Sequence, residues 1–167
     1  LVSADALAAG PLSFSLGVPV LLTGTGKLPA EVISVIKKQG IKQVFVLGGA
    51  DRVTASQLAE LRALGVAVVK RIAGKNRYAT SADLYSFAAA SASTVAAKGG
   101  GLGWVSGPVI FLANGTTGFP DALAVGPLAG TQRSALVTTG PAALDPAVSA
   151  FAKAQGVPLA ALGQPAT

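Results

Sequence analysis

Cysteine, histidine and methionine are absent from this sequence of 167 residues, and aromatic residues make up only 5% of it. Without cysteine the chain forms no disulfide and has no thiol nucleophile, and without histidine it lacks the commonest general base and metal ligand. These absences exclude Ser-His-Asp hydrolases and argue strongly against zinc enzymes. We therefore expect no metal and no other cofactor.

Charge is also scarce, because charged residues make up 12% of the chain, about half of what is usual in soluble domains. Hydrophobic residues make up 51%, which predicts a buried core and excludes intrinsic disorder. The least charged stretch, 99–120, is interrupted by several glycines and an asparagine. A membrane span is therefore not expected.

The charge that is present is mostly positive, since 13 Lys and Arg residues against 7 Asp and Glu residues give a net charge of +6. Such an excess favours an anionic partner. Nucleic acid is not expected, because the basic residues are scattered and few aromatic side chains lie between them. The one basic cluster without an acidic residue consists of Lys70, Arg71, Lys75 and Arg77.

An internal repeat is the most informative feature of the sequence. Asp5-Ala-Leu-Ala-Ala-Gly-Pro-Leu12 matches Asp121-Ala-Leu-Ala-Val-Gly-Pro-Leu128 at seven of eight positions, with an offset of 116 residues. We expect that one unit is used twice. Residues 1–70 are then the rear part of a first repeat, and residues 71–167 are a second, nearly complete repeat that is truncated at its end.

Short apolar runs alternate with amphipathic stretches, which predicts an α/β fold with a short parallel sheet flanked by helices. The predicted strands are 18–22, 43–47, 66–70, 109–113, 135–138 and 159–162, and the predicted helices are 29–39, 55–64, 79–97, 120–129 and 146–155. Thr54 is the predicted N-cap of helix 55–64, and Gly65 is its predicted stop.

Several motifs, in order along the chain, carry a resemblance to a known family. They are Arg71-Ile-Ala-Gly-Lys-Asn-Arg-Tyr-Ala-Thr80, Val109-Ile-Phe-Leu-Ala-Asn-Gly115 and Phe119-Pro-Asp-Ala-Leu-Ala-Val-Gly-Pro-Leu-Ala129, and in the first copy Pro19-Val-Leu-Leu-Thr23 and Val44-Phe-Val-Leu-Gly-Gly49. Through them, nearly the whole chain resembles the type-2 cell-wall-binding repeat of exported Gram-positive proteins. The resemblance implies a Toprim-like or Rossmann-like α/β unit, located at the cell wall or cell surface and without catalysis of its own.

The resemblance also implies partners and ligand-binding residues. The implied partners are an anionic cell-wall polysaccharide, which the repeat binds noncovalently, and neighbouring repeats of the same protein or of a homo-oligomer. The residues assigned to the anionic polymer are Arg71, Arg77, Tyr78, Asp121, Asp5, Pro19, Val20, Leu21 and Leu22. The second copy departs from the pattern, because the Pro-Val-Leu-Leu motif becomes Ser-Ala-Leu-Val at 134–137.

Arg77 and Tyr78 follow a glycine turn that leads from a predicted strand into a predicted helix. A helix N-terminus favours anions, arginine adds a planar fork for phosphate or carboxylate, and tyrosine can stack on a sugar. The alternative is that Arg77 pairs with a carboxylate such as Asp83 or Asp121 and ties the repeats together. Asp5 and Asp121 each open an Asp-Ala-Leu-Ala helix, where a carboxylate can cap free N–H groups instead of binding a ligand.

Two other functions remain open at this point. The first is a structural subunit of an S-layer, filament or other extracellular assembly built from the same repeats, because low charge and abundant Ala, Val and Leu favour large protein contacts. The second is an enzyme or nucleotide-binding protein, which only fold analogy supports. Neither Gly24-Thr-Gly26 nor Gly48-Gly49 completes a phosphate-binding motif.

Overall fold

Helices and short strands alternate along the computed structural model, which describes residues 4–90, 102–104, 109–116, 119–140 and 142–157. Within these ranges the helices are α1 (Ala4–Leu7), α2 (Gly10–Leu16), α3 (Ala30–Lys38), α4 (Ala55–Ala63), α5 (Arg77–Ala89), α6 (Phe119–Thr131) and α7 (Pro146–Ala154). The strands are β1 (Gln43–Leu47), β2 (Ala67–Ile72), β3 (Ile110–Asn114) and β4 (Ala135–Thr139). No helix in the described ranges is long and apolar enough to cross a membrane.

The strands form two small parallel sheets, each of which joins two strands that flank one helix. In the first sheet Gln43 of β1 pairs with Ala67 of β2, and the register shifts once, after Val44. In the second sheet Ile110 of β3 pairs with Ala135 of β4 without a shift. The predicted α/β class with short parallel strands is confirmed, and the strands are divided between two sheets.

Most predicted elements are present within two residues of their predicted bounds. Thr54 caps α4 as predicted and forms a capping box, in which the Gln57 side chain accepts a hydrogen bond from the Thr54 N–H. α5 begins earlier than predicted, because the Asn76 side chain caps it by accepting a hydrogen bond from the Ala79 N–H at 2.8 Å. The predicted end of this helix at residue 97 is wrong, because α5 ends at Ala89 and the backbone of Ala90 is extended. The predicted strand 159–162 lies outside the described residues.

The predicted strand 18–22 is wrong, because this segment has no regular secondary structure and pairs with no strand in the described part of the chain. Val20 and Leu22 are 41% and 49% exposed, whereas a strand covered on both faces would bury them. Its repeat equivalent at 134–138 lies largely in β4, where the side chains are buried and β3 supplies the neighbouring strand. The second copy has a partner strand at this place, and the 18–22 segment has none in the described residues.

The main hydrophobic core joins the two copies of the repeat. Leu7 and Leu12 of the first copy pack in one cluster with Tyr85, Trp104 and Leu136 of the second. Polar bonds reinforce the contact, since the Tyr85 hydroxyl donates to the Ala8 carbonyl oxygen at 2.6 Å and the Trp104 indole N–H donates to the Ser15 hydroxyl at 2.8 Å. A smaller cluster packs α3 and α4 around the start of β2, and its buried residues are Leu28, Ile36, Leu61 and Val66.

Glycines allow the repeated helices to approach each other closely. Gly10 in α2 and Gly126 in α6 are related by the repeat offset of 116, and a Cβ built on Gly10 would lie 3.7 Å from the Gly126 Cα. Four residues further along α6, a Cβ on Gly130 would lie 2.8 Å from the carbonyl oxygen of Pro11. The equivalent helices α2 and α6 therefore pack on each other with glycines at the contact, where a side chain would keep the two backbones apart.

Candidate functional site

A groove of about 890 Å³ lies between the 18–25 segment, β1 and the turn that leads into α5. Six of the nine residues predicted to bind the polymer line it, namely Asp5, Pro19, Val20, Leu21, Leu22 and Arg77. The first copy supplies the 18–25 segment and β1, and the second copy supplies the turn before α5. The groove is therefore built jointly by the two copies.

One wall of the groove is apolar and contains two aromatic rings. Phe45 of β1, 38% exposed, and Phe87 of α5 both line the groove, and their ring centroids lie 5.6 Å apart at an interplanar angle of 57°. The Lys70 ammonium lies 5.8 Å from the centroid of the Phe87 ring, within the range of a cation–π contact. Exposed Val20 and Leu22 continue this wall along the segment.

The other end of the groove is polar and carries charges of both signs. Asp51 and Arg52 line it and pair with each other at 3.2 Å, with both side chains well exposed. Lys75 and Arg77 also line it, and within the described ranges no carboxylate lies within 4.0 Å of either cation. An exposed pair such as Asp51 and Arg52 is worth little. Because no described carboxylate lies within 4.0 Å of them, Lys75 and Arg77 are the cations in the groove best placed to bind an anion.

Arg77 holds the backbone at the end of the second sheet and leaves part of its guanidinium at the groove. Its Nη1 donates to the carbonyl oxygen of Gly115, directly after β3, at 3.0 Å. The alternative prediction that Arg77 pairs with Asp83 or Asp121 is wrong, because neither carboxylate lies within 4.0 Å of it. Arg77 thus connects the turn before α5 to β3 through a main-chain oxygen.

Three of the predicted polymer-binding residues do not line the groove. Arg71 donates from Nη1 to the Gly48 carbonyl at 2.6 Å and from Nη2 to the Val53 carbonyl at 2.7 Å, so its guanidinium holds the loop between β1 and α4. Tyr78 packs close to Gly115 and Gly140, where β3 and β4 end. Asp121 lies in the first turn of α6, beside a separate shallow cavity between β3 and α6.

Two helix N-termini meet beside the cationic end of the groove. Asn76, the N-cap of α5, donates from Nδ2 to a carboxylate oxygen of Asp145, the N-cap of α7, at 2.8 Å. Burial raises the pKa of the Asp145 carboxyl, but the hydrogen bonds from Asn76 and the Ala147 N–H and the charge of Lys75 outweigh it, so its pKa lies below the usual range. The carboxylate therefore stays ionised and holds the two helices together.

Asn76 and Gln57 were not among the predicted site residues, although each has a recognisable sequence pattern. Asn76 directly precedes a helix, which is a preferred position for asparagine. Gln57 stands three residues after Thr54, the spacing of a capping box. The sequence pattern therefore predicts both residues as helix caps. The further contacts of Asn76 with Asp145 and of Gln57 with the 23–27 segment depend on the tertiary fold and could not be predicted in this way. In the described ranges, no cluster of three acidic side chains could hold a metal ion.

The family model for cell wall binding domain 2 (CWB2) matches residues 2–58 and 71–166. A curated relative, the N-acetylmuramoyl-L-alanine amidase LytC of Bacillus subtilis (strain 168), is 29% identical over 154 residues, which are 92% of this chain and 27% of LytC. Among solved structures, Cwp6 from Clostridium difficile covers 93% of this chain, with a TM-score of 0.76 and 21% sequence identity. Cwp8 from the same organism covers 90% of this chain, with a TM-score of 0.62 and 24% sequence identity. The chain spans 22% of Cwp6 and 23% of Cwp8, so it corresponds to about a quarter of each relative.

Proposed function

Because the chain belongs to the cell wall binding domain 2 family, we propose that it anchors an exported protein to an anionic polysaccharide of the Gram-positive cell wall through the groove beside the 18–25 segment. Membership of this family makes the chain a binding module of the cell wall or cell surface. The rest of the proposal is supported by the composition of the groove, which combines an apolar aromatic wall with two cations that have no carboxylate within 4.0 Å in the described residues.

The two ends of the groove suit two features of an anionic polysaccharide. Sugar rings present apolar C–H faces that can pack on Phe45 and on the exposed side chains of Val20 and Leu22. Phosphate or carboxylate groups along the polymer would lie at the Lys75 ammonium and the free part of the Arg77 guanidinium. Asp5 and the backbone of the 19–22 segment would then bind hydroxyl groups between these two ends.

The role is proposed as binding without catalysis. The amidase activity in the name of LytC belongs to a protein of which this chain matches 27%. We propose that the matched part is the anchoring part. In keeping with this, residues 1–70 and 71–167 act as parts of two consecutive repeats, and both are needed because each contributes one side of the groove.

Replacing Lys75 with glutamine should weaken binding to isolated Gram-positive cell walls about fivefold, because one exposed charge pair is worth about 1 kcal/mol. The measurement is cosedimentation at low salt with intact walls and with walls stripped of their anionic polymers. Lys153→Gln, in the last turn of α7, removes the same charge away from the groove and should bind like the wild type. The proposal fails if stripped walls retain the protein as well as intact walls, or if the two variants bind equally.

A second role, assembly with further copies of the repeat, is favoured by one asymmetry between the two copies. Leu7 and Leu12 are 8% and 7% exposed, but their repeat equivalents in α6, Leu123 and Leu128, are 58% and 50% exposed. The first copy buries these positions against the second copy. We propose that a second copy of this chain covers the same positions on α6, which would fit a subunit of an S-layer, filament or other surface assembly.

The mass of the protein in solution should therefore rise with concentration, and Leu123→Lys should return it to that of a single chain, because a buried ammonium opposes association. Light scattering over a wide range of concentration makes the measurement. Ala150→Lys, at an exposed position of α7, adds the same charge elsewhere and should leave the association intact. A single-chain mass of the wild type at every concentration would remove this second role.

A further inference from the structure

The 19–22 part of the groove wall is fixed by hydrogen bonds only at its two ends, and between them Leu21 packs against the smaller hydrophobic cluster. Within the described residues, the backbone of Pro19, Val20, Leu21 and Leu22 makes no hydrogen bond to another segment. At the front end, the Ser13 hydroxyl donates to the Val18 carbonyl, and the Val18 N–H donates to the Ser13 carbonyl at 3.1 Å. The far end, at Thr23 and Gly24, therefore supplies the other polar constraint on the position of the wall.

Gln57 supplies that far anchor from the first turn of α4. It is fully buried, and its Nε2 donates to the Thr23 hydroxyl at 2.7 Å and to the Gly24 carbonyl at 2.8 Å, with a longer contact to the Lys27 carbonyl at 3.4 Å. Its Oε1 accepts from the Thr54 N–H at 2.9 Å. One amide thus caps α4 and binds the segment that follows the groove wall.

The polarity of these contacts requires an amide at position 57. The nitrogen faces two carbonyl oxygens and one hydroxyl, and the oxygen faces a backbone N–H. A carboxylate of the same size would still accept from Thr54, but its second oxygen would face the Gly24 carbonyl without a proton between them. A protonated carboxyl group would restore the donor.

We propose that Gln57 is a positioning residue for the wall-binding groove: it fixes the 19–22 segment across the groove from β1, although it does not itself contact the ligand. The inference rests on the function proposed above, in which this segment binds polymer. We expect the hydrogen-bond donor of the Gln57 side chain, more than the size of that side chain, to determine the affinity for cell walls.

The test compares Gln57→Glu with the wild type at neutral and acidic pH. At pH 7 the variant should bind cell walls about tenfold more weakly than the wild type, because the donor to Thr23 and Gly24 is lost. Near pH 4, where burial favours the protonated carboxyl, its affinity relative to the wild type should return to within about twofold. The charged residues on the two segments that meet at Gln57, namely Lys27, Glu60 and Arg62, are present in both proteins, so the ratio of affinities compares position 57 alone.

Gln132→Glu is the matched control, because it makes the same change at an exposed position after α6 and should bind like the wild type at both pH values. Thr23→Val is a milder second variant, which keeps the shape of the side chain, removes one acceptor of Gln57 and should weaken binding about threefold. It keeps the inference testable if Gln57→Glu does not fold at pH 7.

A second readout does not depend on the wall polymer. The methyl NMR signals of Val20, Leu21 and Leu22 should move toward random-coil positions in Gln57→Glu at pH 7 and return near pH 4. If these signals move as expected but the wild type does not bind walls, the anchor is real and the proposed function fails. The inference about Gln57 is overturned if Gln57→Glu binds walls like the wild type at pH 7, or if its binding stays equally weak at pH 4.

Discussion

Gly74→Ala should lower the free energy of unfolding by about 3 kcal/mol, because the turn before α5 has no room for a methyl group. A Cβ at this position would lie 2.5 Å from the carbonyl carbon of Ala79 and 2.6 Å from the backbone nitrogen of Thr80. The backbone of the turn approaches this closely because the Gly74 N–H donates to the Thr80 hydroxyl at 3.1 Å. Urea unfolding followed by circular dichroism measures the loss.

Gly126→Ala is the matched control for this prediction. It also places a methyl group in a buried helix contact, but the nearest atom would be the Gly10 Cα at 3.8 Å, an ordinary van der Waals distance. Because alanine is the better helix former by about 1 kcal/mol, this variant should be as stable as the wild type or more so. Equal losses in the two variants would contradict the steric explanation, as would an unchanged stability of Gly74→Ala.

Arg71→Ala should also cost about 3 kcal/mol of stability, and should do so without any wall polymer present. The guanidinium donates to two carbonyl oxygens, of Gly48 at 2.6 Å and of Val53 at 2.7 Å, and hydrogen bonds from a charged donor are among the stronger ones. Removing it leaves both oxygens without their partner and releases the loop between β1 and α4. Thermal or urea unfolding of the isolated protein makes the measurement.

Two further variants separate this structural role from a role in binding charge. Arg71→Lys keeps the charge but replaces the planar fork by a single ammonium, so it should recover only part of the stability. Arg62→Ala, at an exposed position in the last turn of α4, should change the stability by less than about 0.5 kcal/mol. If Arg71→Ala unfolds like the wild type, the assignment of Arg71 to the loop is wrong.

Most of the fold could be predicted from the sequence, because its helices and strands follow local patterns. β1 and α4 have the predicted starts, and Thr54 is the predicted cap. The 18–22 segment could not be predicted in this way, because an apolar run becomes a buried strand only where another strand pairs with it. β4 has such a partner in β3, and the segment has none in the described residues.

The candidate site was predicted less completely than the fold. Asp5, Arg77 and the 19–22 segment meet in one groove, although they are far apart in sequence. Arginine and tyrosine are residue types that commonly bind phosphates and sugars, which is why Arg71 and Tyr78 were predicted. In the structure Arg71 binds the Gly48 carbonyl instead, and Tyr78 packs at the ends of β3 and β4. Residue type thus predicted the kind of contact, and the partner was set by segments distant in the chain.

The contacts of α1 and α2 have a consequence for the order of folding. Each sheet joins strands about 25 residues apart, so each β-α-β unit can form early through local contacts. The contact of Tyr85 with Ala8 spans 77 residues, and that of Gly10 with Gly126 spans 116. Closing such long loops costs more chain entropy. We therefore expect α1 and α2 to dock last, onto a second copy that is already folded, and to be the first elements that detach when the protein begins to unfold.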